Sequence, residues 1–369
     1  MIKRILYTLL IMFPVVASAQ INTDRVMAIG RNALYFEDYV LSIQYFNQVI
    51  NAKPYLSDPY FYRGLAKINL DDFQGAESDC SEAIERNPFV VSAYQVRGLA
   101  RIQQNNFAGA IEDYTKALEF APENIGVWHN MALCRIRQED YKGAKNDLDK
   151  LIAISPRYTK AYLMRGEVDL KQKDTLAAEK DFGKAIEIDR YDADTWASRA
   201  ILRLQQQRYK DAEADFDHAI RLSTRNSGVY INRALARYHQ NNLRGAMSDY
   251  DIALDIDPNN FIGHYNRGLL RAQVGDDNRA IQDFNFVIEM EPDNMMAIFN
   301  RGLLLDQTGD YKGAIKDYST VINEYPNFLL GYQYRAQARR KIGDVKGADA
   351  DEFKVLKAQL DKQNGVDPN

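Results

Sequence analysis

The most constraining feature of the sequence is a 34-residue period that starts at Thr23 and continues, without insertion or deletion, almost to the C-terminus. An arginine and, sixteen residues later, an aspartate recur in successive units, and only Met131 interrupts the arginines. The two series are Arg63, Arg97, Arg165, Arg199, Arg233, Arg267, Arg301 and Arg335, and Asp79, Asp113, Asp147, Asp181, Asp215, Asp249, Asp283, Asp317 and Asp351. A chain of short similar units buries its apolar surface by stacking each unit on its neighbours, so the period predicts a solenoid.

Each period has the pattern of two helices separated by a turn. In the second unit, Tyr60, Gly64 and Lys67 recur at helical spacing, and Ala76 opens a second apolar stripe. The turn is clearest at Gly275-Asp276, where glycine suits a left-handed residue and aspartate suits a helix cap. Proline then ends the second helix in most units, namely at Pro54, Pro88, Pro122, Pro156, Pro258, Pro292 and Pro326.

A 34-residue helix–turn–helix with an aromatic residue, a small residue, alanine and proline in this order resembles the tetratricopeptide repeat. The matching residues are Tyr60, Gly64, Ala76 and Pro88 in the second unit, and Trp196, Ala200, Ala212 and Phe216 in the sixth, which lacks the proline. The resemblance implies an all-α, right-handed superhelical solenoid. First helices would line its concave groove and second helices its convex back. The ten units start at residues 23, 57, 91, 125, 159, 193, 227, 261, 295 and 329.

The first nineteen residues have the layout of a secretory signal peptide. Lys3 and Arg4 precede an apolar run, and Ala17-Ser18-Ala19 has the small-residue pattern of a cleavage site before Gln20. We expect a signal peptide at 1–19, the repeat array at 20–362 and a flexible tail at 363–369. The protein would be exported, periplasmic or secreted and possibly envelope-associated, without a transmembrane segment after cleavage. The alternative is that the segment is retained as an anchor.

Composition and motifs argue against catalysis and nucleic-acid binding. The chain has 47 basic and 51 acidic side chains, so it lacks the basic surplus that nucleic-acid binding requires. Two cysteines exclude a disulfide framework, and the four histidines form no metal-binding motif. There is no phosphate loop or nucleophile elbow, and the repeats leave no room for a catalytic domain. We therefore expect no enzymatic activity, no cofactor and no metal.

Repeat positions are counted from the first residue of each unit. Positions seven and eleven, which are apolar or aromatic in most tetratricopeptide repeats, are basic here. Their regular aspartate partners favour an internal network of arginine and aspartate, although a basic surface for an anionic ligand is an alternative. The network is represented by Arg199, Arg233, Arg267, Asp215, Asp249 and Asp283.

Polar side chains at repeat positions six and thirteen are candidates for a peptide-binding row. They lie seven residues apart and so share a helix face, and they comprise Asn130, Arg137, Asn232, His239, Asn266, Gln273, Asn300 and Gln307. An asparagine amide presents a donor and an acceptor, as a peptide group does. The row looks like the asparagine ladder of repeat domains that hold extended peptides, such as that of O-linked N-acetylglucosamine transferase. The alternative is ordinary polar surface.

The carboxylate clamp of chaperone-binding repeats is not expected, because it needs lysine and asparagine where this chain has pairs such as Phe61 and Leu65. The sequence predicts a non-catalytic scaffold that holds an extended peptide or partner segment in its groove. One alternative is a structural assembly subunit that binds folded partners, or itself, through the convex face or the ends. Another is binding of glycan or cell wall through the amides and tyrosines.

Overall fold

The computed structural model describes residues 22–363, so the predicted signal peptide and residues 364–369 lie outside the described part. Within it the chain forms α-helices joined by short turns, without a β-strand. The helices are α1 Thr23–Tyr35, α2 Tyr39–Ala52, α3 Asp58–Ile68, α4 Phe73–Arg86, α5 Val91–Gln103, α6 Phe107–Phe120, α7 Ile125–Arg137, α8 Tyr141–Ile154, α9 Thr159–Lys171, α10 Thr175–Ile188, α11 Ala193–Gln205, α12 Tyr209–Leu222, α13 Ser227–His239, α14 Leu243–Ile256, α15 Phe261–Gln273, α16 Asp277–Met290, α17 Met295–Thr308, α18 Tyr311–Glu324, α19 Leu329–Lys341 and α20 Val345–Gln363.

The chain divides after Ala178 into an N-terminal and a C-terminal body. From α1 to α9 in the first body, and from α11 to α20 in the second, each helix packs against the next one in the chain. First helices of successive pairs also touch, for example α1 with α3 and α15 with α17. The described chain is therefore an all-α array of stacked helix pairs, as the repeat pattern predicts.

Small residues bring the two helices of a pair together. The alanine that recurs on the second helix is fully buried, as Ala76, Ala212 and Ala280 illustrate. It faces a small residue on the first helix. A Cβ added to Gly64 would lie 2.9 Å from the Cys80 Sγ atom and 3.2 Å from the Ala76 carbonyl oxygen. At these distances even a methyl group would require Cys80 or the α4 backbone to shift, so glycine suits this crossing.

A left-handed residue ends the first helix of every pair. In the last three units it is glycine, at Gly275, Gly309 and Gly343, with φ of 80° to 93°. In the first seven units a residue with a side chain takes this conformation, at Glu37, Asp71, Asn105, Glu139, Lys173, Gln207 and Asn241. The predicted helix cap by aspartate is confirmed at Asp310, whose side chain accepts a hydrogen bond from the Gly313 amide at 3.0 Å. The same prediction is wrong at Asp276, whose side chain accepts no capping hydrogen bond.

Both cysteines, Cys80 and Cys134, are buried and free. No helix between residues 22 and 363 is both long enough and apolar enough to cross a membrane. The same residues contain no group of three or more histidine, cysteine or acidic side chains placed to hold a metal ion.

Candidate binding surfaces of the repeat array

Most buried aspartates of the series receive one or two basic side chains from the first helix of their own unit. Asp249 accepts from Arg233 at 2.9 and 2.6 Å and from Arg237 at 2.9 Å. The side chain of Asp249 is 1% exposed, so its charge is compensated almost entirely by these two guanidinium groups. The same arrangement joins Asp215 to Arg199 at 2.8 and 2.9 Å. In the eighth unit, Arg267 and Arg271 contact Asp283.

The same arginines also reach back to the preceding unit, through acceptors at repeat position 25 that the sequence did not lead us to predict. Arg233 donates to Asp217 at 2.6 Å, and Arg267 donates to Asp251 at 2.8 Å. Repeat position 25 supplies this acceptor in most units, through Asn47, Ser81, Asp149, Asp217, Asp251, Asn285 and Ser319. The signal was available in the sequence, because position 25 is polar from the first unit to the ninth except at Gly183. Arg233 and Arg267 therefore each join three helices.

A second set of ion pairs links neighbouring units through repeat position eleven. Arg101 contacts Glu77 at 2.8 Å and Arg237 contacts Glu213 at 2.7 Å. The fifth unit has Asp169 where seven other units have a basic residue, and Lys145 of the fourth unit pairs with it at 2.5 Å. The pair is retained with its charges exchanged. These contacts hold the basic side chains against internal carboxylates.

All eight residues of the predicted peptide-binding row lie on first helices. They are divided among α7, with Asn130 and Arg137, and three helices of the C-terminal body, with Asn232 and His239 on α13, Asn266 and Gln273 on α15, and Asn300 and Gln307 on α17. The position-six asparagines are half-buried, whereas the position-thirteen side chains are exposed. The three asparagines of α13, α15 and α17 thus have the same degree of burial and the same repeat position in three successive units.

Some members of this row have partners within the protein. The Asn300 amide nitrogen donates to the Tyr265 hydroxyl at 3.1 Å, which links α17 to α15 and keeps the amide oxygen as an acceptor. Burial raises the pKa of Tyr265, so this hydroxyl stays protonated at neutral pH. His239 stacks on Tyr209 with ring centroids 4.6 Å apart. It therefore belongs to an aromatic contact as well as to the predicted row.

Two cavities adjoin residues of the row, and neither was predicted from the sequence. In the C-terminal body a cavity of about 330 Å³ is mainly apolar and lies at the start of α17, lined by Met295, Met296, Phe299, Val321, Tyr325 and Phe328. Phe299 directly precedes Asn300 in the chain. In the N-terminal body Arg137 lines a cavity of about 410 Å³ together with Ile102, Phe107 and Leu133.

Family models of the tetratricopeptide repeat match residues 91–124, 125–158, 159–192, 198–261 and 265–327. The chain belongs to the tetratricopeptide repeat family. Among curated protein sequences, none matches this chain. Members of the family are generally non-catalytic, and the fold is that of a protein-interaction scaffold.

Solved structures of similar fold share little sequence with the chain. A tetratricopeptide repeat protein of Parabacteroides merdae is 21% identical, with a TM-score of 0.52, over 68% of this chain and 98% of that one. The C-terminal part of a repeat protein of Cytophaga hutchinsonii is 17% identical, with a TM-score of 0.54, over 64% and 97%. The pilF protein of Pseudomonas aeruginosa is 19% identical, with a TM-score of 0.50, over 59% and 97%. These likenesses show the fold alone.

Proposed function

We propose that this protein is an exported scaffold that holds an extended segment of a partner protein along the first helices of its C-terminal body. The observation that carries the proposal is the repetition of one half-buried asparagine, Asn232, Asn266 and Asn300, at the same position of three successive first helices. The arginines beside them are engaged by internal carboxylates. The amides are therefore the polar groups of this surface best suited to a partner.

The spacing of the asparagines suits an extended chain. Packed helices lie roughly 8–10 Å apart, and an extended chain advances about 3.3 Å per residue, so each step would span about three residues. An amide that both donates and accepts can pair with a peptide group whatever its side chain. Three such amides would hold a backbone without reading its sequence.

The apolar cavity beside Phe299 supplies selectivity that the amides lack. Its volume of about 330 Å³ can take a single large apolar side chain, and its two methionines can adapt to different shapes. Sites for extended peptides combine main-chain hydrogen bonds with pockets for particular side chains. We therefore expect a preference for segments that carry one bulky apolar residue near the Asn300 end of the row.

Binding is tested by selecting ligands from a displayed library of unstructured peptides and titrating the best one. Replacing Asn232, Asn266 and Asn300 together by alanine removes three hydrogen bonds of about 0.5–1.5 kcal/mol each. Affinity should fall by roughly 2–5 kcal/mol, about 30- to 4,000-fold. The matched control replaces three exposed asparagines of second helices, Asn146, Asn278 and Asn323, by alanine. Unchanged affinity in a variant that circular dichroism shows to be folded would contradict the proposal.

Export is tested separately, by the mass of the protein recovered outside the cytoplasm. Cleavage after Ala19 should give a chain that begins at Gln20. An exported chain that retains Met1 to Ala19 would favour a membrane anchor instead. A second candidate function, assembly through an end of the array, is favoured by the exposed apolar residues of α20.

A further inference from the structure

The last second helix differs from the others in length and in its outer surface. α20 has 19 residues, whereas α18 and α16 have 14. Phe353, Leu356 and Leu360 are 66%, 54% and 48% exposed. They are spaced three and four residues apart and so form one stripe on the helix, here called the terminal stripe. Asp351 and Val355, which pack inward, lie on the other side.

Two residues of the terminal stripe occupy positions that face the following unit elsewhere in the array. Phe353 stands at position 25, where Asp217 and Ser319 accept hydrogen bonds from the next arginine. Leu356 stands at position 28, where Ile322 of the preceding unit is 3% exposed. At the end of the array these positions are apolar, and the residues described by the structure leave them exposed.

The first helix of the last unit carries polar residues at repeat positions nine and twelve. Gln337 and Arg340 replace the apolar residues of positions nine and twelve, such as Leu65 and Ile68 of the second unit. Arg340 is held by Glu352 at 2.6 Å and by Asp349 at 2.9 Å. An end that only faces water would be polar on both helices. Here positions nine and twelve of α19 are polar, whereas α20 exposes the terminal stripe.

We propose that the terminal stripe is a seam that joins two copies of this chain, with α20 of one copy packed parallel to α20 of the other. The three-and-four spacing is that of the a and d positions of a two-stranded coiled coil. Each copy would contribute the same surface, so the contact closes as a two-fold dimer and does not extend into a filament. The proposal is independent of the peptide-binding row.

Charge complementarity selects the parallel orientation. With Phe353 at an a position and Leu356 at a d position, Glu352 takes the preceding g position and Lys357 the following e position. In a parallel pair, a g residue of one helix lies near the e residue five positions later on the other. Glu352, which also pairs with Arg340 of its own copy, would then lie near Lys357 of the second copy. In an antiparallel pair, Glu352 would face Glu352 and Lys357 would face Lys357.

The seam should be weak, because three large side chains on each copy bury much less than the ~800 Å² per partner of a stable interface. We expect a reversible dimer with a dissociation constant in the micromolar range or above. Sedimentation velocity of the full chain over a range of concentrations measures it. Phe353→Lys should abolish the dimer, and Leu176→Lys should not, although Leu176 on α10 is 81% exposed. A wild type that stays monomeric, or a dimer that survives Phe353→Lys, would overturn the proposal.

Disulfide trapping tests the orientation independently of affinity. Phe353→Cys and, separately, Leu360→Cys should each form an intermolecular disulfide on mild oxidation, because a parallel seam places identical residues opposite one another. Cys80 and Cys134 are buried and should not compete. Lys354→Cys is the control, since residue 354 is exposed but lies off the stripe. Cross-linking of Lys354→Cys as efficient as that of the two stripe variants would refute the seam.

Discussion

The fourth and eighth units share one backbone plan but surround their buried aspartates differently. Asp283 of the eighth unit is contacted by Arg267 at 2.8 Å, by Arg271 at 2.8 Å and by His264 at 3.0 Å. Asp147 of the fourth unit is contacted by Arg135 at 2.7 Å. The two residues are equally buried, at 3% and 2% exposure, so burial alone does not distinguish them.

The difference arises at Met131, which replaces the repeat arginine. Its sulfur lies 4.0 Å from the Thr115 hydroxyl, at the place where other units form an arginine contact to the preceding second helix. The remaining Arg135 divides its guanidinium group between Asp147 and Asp140, which lies 2.9 Å away. The fourth unit thus has a buried carboxyl group with half of the usual arginine support.

The pKa values of the two carboxyl groups move in opposite directions. Burial raises the pKa of Asp147 to about 6, because Arg135 offsets only part of the desolvation. Burial also acts to raise the pKa of Asp283, but His264 and the two arginines outweigh it and lower the pKa below its usual range. In these two units the side chains that contact the buried carboxyl group therefore set the direction of its pKa shift.

The largest effect should come from deleting the better supported aspartate. Asp283→Ala leaves two arginines without their buried partner, and removal of one member of a buried pair typically costs about 3–5 kcal/mol. Asp147→Ala should cost less than half of that, because Arg135 keeps Asp140 and an unfavourable buried charge is removed. Urea denaturation measures both. Equal losses would show that arginine support does not decide the contribution of these aspartates. Arg267→Ala combined with Asp283→Ala should cost less than the sum of the single changes.

The next effect is a pH dependence specific to the fourth unit. The folded pKa of Asp147, about 6, exceeds its ordinary value of 3.8, so its contribution to stability is fully present below pH 3.8 and is lost as the pH rises through 6. Asp147→Asn should therefore stabilise the protein relative to wild type at pH 7 more than at pH 4, by about 1–3 kcal/mol. The readout is the difference in unfolding free energy between variant and wild type at each pH.

Asp283→Asn is the control for this pH dependence and should behave oppositely. Its lowered folded pKa gives a contribution that is present above the ordinary aspartate pKa and is lost as the pH falls through the folded value. The variant should therefore be less stable than wild type at pH 7. A pH-independent difference for Asp147→Asn would contradict the raised pKa.

A smaller effect should follow from restoring the missing arginine. Met131→Arg would place a second cation beside Asp147 and a hydrogen-bond donor beside Thr115. The fold can accommodate an arginine at this position, because most other units have one there. We expect the pKa of Asp147 to fall and stability at pH 7 to rise by about 1–2 kcal/mol. Met131→Leu keeps the volume without the charge and should leave the pKa of Asp147 unchanged. NMR titration of the Asp147 carboxyl group follows the pKa directly. A raised pKa that persists in Met131→Arg would contradict the explanation.

The sequence predicts the fold well because a strict period repeats the same local information ten times. The helix pairs, their small-residue crossings and the interruption at Met131 are all visible in it. Individual pairings are less accessible, because they cross between units. The exchange of charges between Lys145 and Asp169 looks like an irregularity until the two residues are seen to be in contact. The arginine contacts at position 25 were missed for the same reason.

The candidate surfaces are only partly predictable for a related reason. A repeat position fixes which helix face a side chain occupies, so the row of Asn232, Asn266 and Asn300 could be proposed without a structure. The apolar cavity beside Phe299 combines residues from the start of α17, from α18 and from the turn after α18. These residues come from the two ends of the ninth period, which only the folded unit brings together. The terminal stripe became informative only when its positions were known to face the next unit.

The smallest expected effect on stability comes from the turns between the two helices of the fourth and eighth units. Glu139 ends the first helix of the fourth unit with φ of 60°, whereas Gly275 does so in the eighth with φ of 80°. A left-handed conformation costs a residue with a side chain roughly 1–2 kcal/mol, and glycine avoids this cost. Glycine is also more flexible in the unfolded chain, which lowers the stability of the folded protein by about 0.5–1 kcal/mol and offsets part of the gain. Glu139→Gly should therefore stabilise the protein by up to about 1 kcal/mol, and Gly275→Ala should destabilise it by a similar amount. Nothing lies within 4 Å of a Cβ added to Gly275, so a loss there would report the backbone conformation and not a clash. Thermal denaturation of both variants makes the comparison, and a gain for Gly275→Ala would show that the left-handed turn does not limit stability in the eighth unit.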